Sequence, residues 1–245
     1  MSGIRNKVIV ITGASSGIGE ARAIHLAQQG GSLVLGARRL EHLQTVAQKI
    51  QQFNGNVAVK ETDVRHRDHL VDIVDLALSQ FGKLDVFINN AGTGPISLFD
   101  DLRVDDWDNM IDVNLKGTLY GIAAALPIFR RQGFGHFINL ISTAGLKIVP
   151  TMAVYAATKN AVRTLTEGLR QEAGPKLRVT GISPGFVRTN LVDSMTVQKA
   201  RDLITAQMNE IAISPEAIAR AVAFAIEQPD DVDVGDIVVR PTAQG

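Results

Sequence analysis

Seven short aliphatic runs recur along this chain, separated by longer stretches of helical periodicity, and this alternation constrains the fold more than any other feature. The runs are Val8 to Ile11, Leu33 to Leu35, Val57 to Val59, Val86 to Ile88, His136 to Leu140, Val179 to Ile182 and Ile237 to Val239. Runs without polar alternation fit strands covered on both faces, as in a parallel sheet. Helical spacing fills the intervals Gly17 to Gln29, Leu40 to Gln52, Arg67 to Phe81, Asp105 to Arg131, Thr151 to Glu172 and Pro215 to Glu227. Parallel neighbours need a crossover, so the pattern predicts βαβ units in an α/β fold. Each unit needs the next strand to cover it, which predicts one domain over residues 1–245. Only Asn190 to Ile213 breaks the rhythm: with Met195, Met208, polar residues and no clear strand, it is expected to be a mobile excursion.

Charge narrows the function. Lys plus Arg and Asp plus Glu balance at 25 each, so no global field favours nucleic acid or an anionic membrane. The absence of Cys excludes disulfides, thiol nucleophiles and thiolate metal sites and fits a reducing compartment. The start, Met1 to Lys7, runs almost at once into a strand with no long apolar leader, so a cytoplasmic location is expected. His66 and His69 have helical-pair spacing but no further His or Cys nearby, so no metal site is expected, and Trp107 is read as packing.

The first strand ends in Thr12-Gly13-Ala14-Ser15-Ser16-Gly17-Ile18-Gly19, directly before a helix. Glycines permit a tight turn and close backbone approach, while the free N–H groups and positive end of the helix favour a pyrophosphate. The second strand ends Leu35-Gly36-Ala37-Arg38-Arg39. An acidic residue there would bind a ribose 2′-hydroxyl, whereas a guanidinium matches a 2′-phosphate bidentately. NADP is therefore expected over NAD.

Tyr155 and Lys159 stand four residues apart, on one face of a helix, with Ser142 thirteen residues upstream. An ammonium beside a phenol favours its anionic form, and so brings a group with an ordinary pKa near ~10 toward use as an acid-base catalyst. The same spacing also suits a buried tyrosine next to a surface lysine; the company of the pair decides between them.

With these pieces the chain resembles the short-chain dehydrogenase/reductase family over essentially its whole length. The likeness is carried by Thr12 to Gly19, Asp63-Val64, Asn89-Asn90-Ala91-Gly92, Asn114, Ser142, Tyr155 with Lys159, and Pro184-Gly185 followed by Thr189. It implies a single doubly wound, Rossmann-type domain with a seven-stranded parallel sheet in the order 3-2-1-4-5-6-7. It implies a cofactor site of Gly13, Ser15, Ser16, Gly17, Ile18, Gly19, Arg38 and Arg39. Asp63 and Val64 would border the adenine, Asn90, Ala91 and Gly92 would line the cofactor, and Pro184, Gly185, Val187 and Thr189 would surround the nicotinamide. A homotetramer or homodimer on the two long helices is also implied. Many NADP-using members carry a basic residue just before the second glycine, where this chain has Ser16, so the NADP expectation leans on Arg38 and Arg39.

The resemblance further implies hydride transfer between the nicotinamide and a carbonyl carbon. Tyr155 would exchange the proton, and Ser142 would hydrogen-bond the carbonyl oxygen. Lys159 would lower the phenol pKa and bond the ribose, and Asn114 would order a water feeding protons to Lys159. The substrate pocket would draw on Ile96, Leu146, Ile148, Val149, Met152, Phe186, Leu191 and Met195, with residues 190–213 as its lid. That mainly apolar wall suits a small or medium ketone, aldehyde or secondary alcohol. Lys147 and Arg188 would instead suit a hydroxy-acid or amino-acid substrate. Arg130, Arg131 and Lys199 would suit a 3-oxoacyl group on a carrier protein. A non-catalytic NADP-binding sensor or scaffold is the reading from a different class.

Overall fold

The computed structural model describes residues 3–245. Its sheet contains β1 (Val8–Thr12), β2 (Ser32–Ala37), β3 (Val57–Glu61), β4 (Val86–Asn89), β5 (Gly135–Leu140), β6 (Leu177–Pro184) and β7 (Asp236–Val239). All pairs are parallel, in the order β3-β2-β1-β4-β5-β6-β7. The order reverses beside β1, so a crevice opens between the carboxyl ends of β1 and β4, where doubly wound sheets bind ligands.

The two-residue period of each strand divides the core into layers. Ile9 and Ile11 of β1, with Leu33 and Leu35 of β2 and Ile182 of β6, pack on α1 (Gly17–Gln28), α2 (Leu40–Gln51) and α8 (Pro215–Glu227). Val8, Val10, Val34 and Val179 point the other way, with Phe87 and Phe137, toward α3 (Arg67–Phe81), α5 (Gly117–Gln132) and α6 (Ala153–Ala173). Both faces are thus covered, which is why these strands show no polar alternation.

Two expectations are corrected. The helix expected from Asp105 to Arg131 is interrupted: α4 (Val104–Met110) passes into a π segment, Ile111–Lys116, before α5 begins. A π turn widens the helix by one residue per turn, and Asn114, a poor helix former, lies inside it. Residues 190–213, expected to be an irregular excursion, form a 3₁₀ turn at Asn190–Ser194 and the 14-residue helix α7 (Gln198–Ile211). Ala200, Ile204 and Met208 recur every fourth residue and bury one stripe against Ile96 and Met195, in a small cluster apart from the main core. Among the described residues no helix is long and apolar enough to cross a membrane.

Candidate active site

The turn after β1 is shaped by close approach. Gly13 has φ +64°, and a Cβ there would stand 2.7 Å from the Ala91 Cα, so only glycine lets the β1 and β4 ends meet. Asn90 ties the two together: its Nδ2 donates to the carbonyls of Thr12 (2.8 Å) and Gly13 (3.0 Å), and Thr12 Oγ1 accepts from Asn90 N–H (3.0 Å). Asn90 Oδ1 accepts from Nη1 of Arg22 (2.8 Å). Arg22 is fully buried on α1 with no carboxylate bonded to it, and burial lowers its pKa to about 9. Its Nε and Nη2 find no partner among the described residues. Nothing in the sequence pattern pointed to it, because its contact spans 68 positions.

From this turn a cleft of about 920 Å³ runs along the carboxyl ends of the strands. Its floor at one end is Gly13 and Ser15 to Gly19, with Arg38 and Arg39 at the end of β2 and Asp63 and Val64 after β3. Asn90, Ala91 and Gly92 form the middle, and Pro184, Gly185, Val187 and Thr189 the far side. Every residue expected around the dinucleotide therefore borders one continuous space. The Asp63 carboxylate is held by the Arg65 guanidinium, whose hydrogen bonds keep its pKa at about 2.

Ser142, Tyr155 and Lys159 meet at the opposite end. Ser142 closes β5 in an extended conformation and caps the 3₁₀ turn Thr143–Gly145 by accepting from Ala144 N–H (3.1 Å). Tyr155 lies in the first turn of α6, and its half-buried side chain lines the cleft with Ser142. Burial raises the phenol pKa above its ordinary 10.0, and the neighbouring Ser142 hydroxyl opposes that rise. Lys159, one turn on, is only 3% exposed; burial, and then the positive charge of Arg22, lower its pKa to about 8. Its Nζ donates to the Leu140 carbonyl at 2.9 Å and lies 5.9 Å from the Tyr155 ring centroid. The ammonium thus turns toward the end of β5, and burial is the largest influence on the phenol.

Asn114 lies beneath the cleft. Its Oδ1 accepts from Thr93 N–H (2.8 Å), and its Nδ2 donates to the Thr93 carbonyl (2.9 Å) and to Thr158 Oγ1 (3.1 Å). Thr158 in turn donates to the Tyr155 carbonyl (2.7 Å). These bonds make Asn114 a clasp between the loop after β4 and the first turn of α6. A buried polar ladder seats the same helix: Asn89 Nδ2 donates to Asn139 Oδ1 (2.8 Å), and Asn139 Nδ2 to Thr166 Oγ1 (2.9 Å).

The wall beyond Tyr155 is mainly apolar. Ile96, Leu146, Val149, Met152, Phe186, Leu191 and Met195 line the cleft, joined by Leu203, Ile204 and Met208 of α7. Ile148 instead borders an adjoining 390 Å³ hollow with Phe99 and Trp107. Lys147 lines the cleft, but Arg188 is exposed and outside it, because its backbone N–H bonds the Ile213 carbonyl (2.9 Å) and the side chain faces away. Arg130, near the C-terminal end of α5, bonds the carbonyls of Glu172 and Ala173 at the C-terminal end of α6, beside the start of β5 and so at the amino end of the strands, opposite the cleft. Among the described residues no three His, Asp or Glu side chains gather as a metal would require.

The arrangement fits a dinucleotide on its own terms. One crevice begins at a helix N-terminus, passes two guanidiniums and ends at a half-buried tyrosine with a buried lysine one turn away. Residues 7–200 match the family model described as short chain dehydrogenase. An uncharacterized oxidoreductase of Staphylococcus saprophyticus is 46% identical over 247 residues, covering 100% of this chain and 99% of its own. The alcohol dehydrogenase of the archaeon Thermococcus sibiricus, solved with 5-hydroxy-NADP, superposes with TM-score 0.87 at 32% identity and 98% coverage of both chains. A short chain dehydrogenase/reductase of Burkholderia phymatum, solved with NAD, gives TM-score 0.89 at 28% identity, covering 97% of this chain and 90% of its own.

Proposed function

The chain belongs to the short-chain dehydrogenase/reductase family, and from that premise we propose that it transfers a hydride between NADP(H) and a small or medium apolar ketone or aldehyde, or the corresponding secondary alcohol. The observation that carries this is a single cleft with Arg38 and Arg39 at one end and Tyr155, Ser142 and an apolar wall at the other.

The dinucleotide, when bound, supplies or accepts the hydride at its nicotinamide. The backbone N–H groups of the Gly13-to-Gly19 turn would hold its pyrophosphate, and Arg38 and Arg39 would hold the 2′-phosphate in place of the carboxylate that NAD users employ. Pro184, Gly185, Val187 and Thr189 are assigned to the nicotinamide end, and Lys159 to the ribose. The likeness to proteins solved with NADP and with NAD leaves the choice to these arginines.

Tyr155 gives its phenolic proton to the carbonyl oxygen in reduction and takes it back in oxidation. Its raised pKa keeps the phenol protonated at neutral pH, the state reduction requires. Ser142, beside that phenol in the cleft lining, addresses the same oxygen and stabilises the charge developing on it. Lys159, buried one turn from Tyr155 with its Nζ 5.9 Å from the ring centroid, supplies a positive charge near the phenolate left behind. Asn114 holds the first turn of α6 through Thr158 and so keeps the phenol aimed into the cleft.

Substrate is held by apolar burial at about 25 cal/mol per Å², with little orienting polarity. A second reading, a substrate bearing a carboxylate, is favoured by Lys147 in the cleft lining. The carrier-protein alternative has less support, since Arg130 serves α6 at the amino end of the strands. Assembly as a homotetramer or homodimer through α5 and α6, in the cytoplasm, completes the proposal. A carbonyl and alcohol panel run with both cofactors tests it. Turnover of neutral ketones with NADPH is expected; preference for NADH, or for hydroxy acids, contradicts the corresponding part.

A further inference from the structure

Gln244 lies five residues past β7, yet its side chain sits at the catalytic end of the cleft. Its Oε1 accepts from the Phe186 N–H at 2.9 Å, and its Nε2 donates to Thr143 Oγ1 at 3.2 Å. Thr143 immediately follows Ser142 and opens the 3₁₀ turn that Ser142 caps; its carbonyl accepts from Leu146 and Lys147 N–H, each at 2.9 Å. Phe186 follows Pro184-Gly185 on the opposite wall. One carboxamide thus spans the two loops that bracket the reacting end, using an acceptor on one side and a donor on the other.

The backbone is cut to admit it. A Cβ on Gly185 would collide with Gln244 Oε1 and stand 2.7 Å from the Arg240 Cβ. Gly185 does not have a left-handed φ. Its lack of a side chain is therefore explained here by the space that residues 240 and 244 occupy, not by its own backbone conformation. Gln244 itself is set by a turn in which its N–H donates to the Pro241 carbonyl (3.0 Å). A freely moving terminal side chain has no need of such a pocket.

We propose that Gln244 is a positioning residue of the active site: by clasping Thr143 to Phe186 it fixes the Ser142 turn against the substrate wall. The inference rests on the function proposed above for the meaning of Ser142, but not for the clasp itself. Gln244→Met keeps the length and removes both hydrogen bonds. Gln244→Glu keeps an acceptor for the Phe186 N–H, and its second oxygen accepts the Thr143 hydroxyl proton.

Two measurements on the full-length protein decide it. In hydrogen exchange, Gln244→Met is expected to speed amides 143–147 by about tenfold, the worth of a lost hydrogen bond, with the β1–β4 half unchanged. In kinetics with the best ketone of the panel, Gln244→Met is expected to lose about tenfold in kcat/KM, chiefly in kcat, while NADPH Kd stays within about twofold, and Gln244→Glu is expected to recover most of that loss. Unchanged exchange overturns the clasp. Faster exchange with unchanged kcat/KM, or a loss that Gln244→Glu does not rescue, overturns the positioning role. If the wild-type protein turns over no carbonyl, the proposed function fails, and the exchange result still decides the clasp separately.

Discussion

The ammonium of Lys159 lies 2.9 Å from the carbonyl oxygen of Leu140, two residues before Ser142, so one buried cation ties the catalytic helix to the end of β5. The bond accounts for two features at once. It seats Tyr155 beside Ser142, and it draws Lys159 into surroundings where its charge is costly enough to bring its pKa to about 8.

The depressed Lys159 gives a pH signature in stability. Its folded value, about 8, lies below the ordinary lysine value of 10.5, so between those limits the unfolded chain binds more protons than the native one. The free energy of unfolding of the apo protein should therefore gain a rising component from pH 8 upward, with the burial penalty fully present below pH 8. Denaturant unfolding at several pH values, wild type against Lys159→Met, measures it: the difference between the two curves should grow with pH in favour of the wild type. A difference independent of pH contradicts a depressed Lys159.

Removing the 2′-phosphate partners should reverse cofactor choice. Replacing Arg38 and Arg39 together by Ala is expected to raise KM for NADPH about 30-fold or more, the scale of lost charge-assisted hydrogen bonds, with KM for NADH changed less than about threefold. Initial rates with each cofactor check this. Equal losses with both would mean that the arginines serve the fold or the adenine instead.

Asn114 is expected to matter through its clasp. Asn114→Leu leaves the Thr93 N–H and carbonyl without their partners and should lower stability by about 2–4 kcal/mol. Asn114→Asp keeps the acceptor for Thr93 N–H and should cost less. Chemical denaturation of both variants tests the order; the reverse order contradicts the clasp.

The segment that carries α7 should fail locally. Ile204 belongs to the small cluster of α7, Ile96 and Met195, separate from the two main core layers. Ile204→Ala is expected to raise substrate KM about fivefold while shifting Tm by no more than about 3 °C, because the cavity loosens a segment rather than the domain. A large Tm loss with unchanged KM would show that α7 supports the fold and not the pocket.

What was legible in the sequence follows from how local each signal is. The strands of the sheet declare themselves because a strand covered on both faces is apolar throughout, and the glycine turn because its residues are contiguous. The helix α7 did not, since Ala200, Ile204 and Met208 are diluted by Lys199, Arg201, Gln207 and Asn209 and find their partners only in Ile96 and Met195. The π segment is equally hidden, because nothing in Ile111–Lys116 distinguishes it from a continuing helix. Arg22 with Asn90, and Gln244 with Thr143, are 68 and 101 positions apart and meet only through the tertiary fold. Arg188 looked like a pocket residue by proximity to Thr189, yet its pairing with Ile213 faces its side chain outward.

In the function proposed here, the Tyr155 phenol carries the proton in a dinucleotide-dependent carbonyl reduction. The most direct test follows NADPH consumption, by the absorbance of the reduced nicotinamide, for wild type and Tyr155→Phe with a ketone that the wild type accepts, alongside a fluorescence titration of NADPH binding. Turnover is predicted to fall by about a thousandfold in Tyr155→Phe with Kd for NADPH within about threefold of wild type. Full turnover by Tyr155→Phe, or tight NADPH binding by a wild type that reduces no carbonyl, would contradict it.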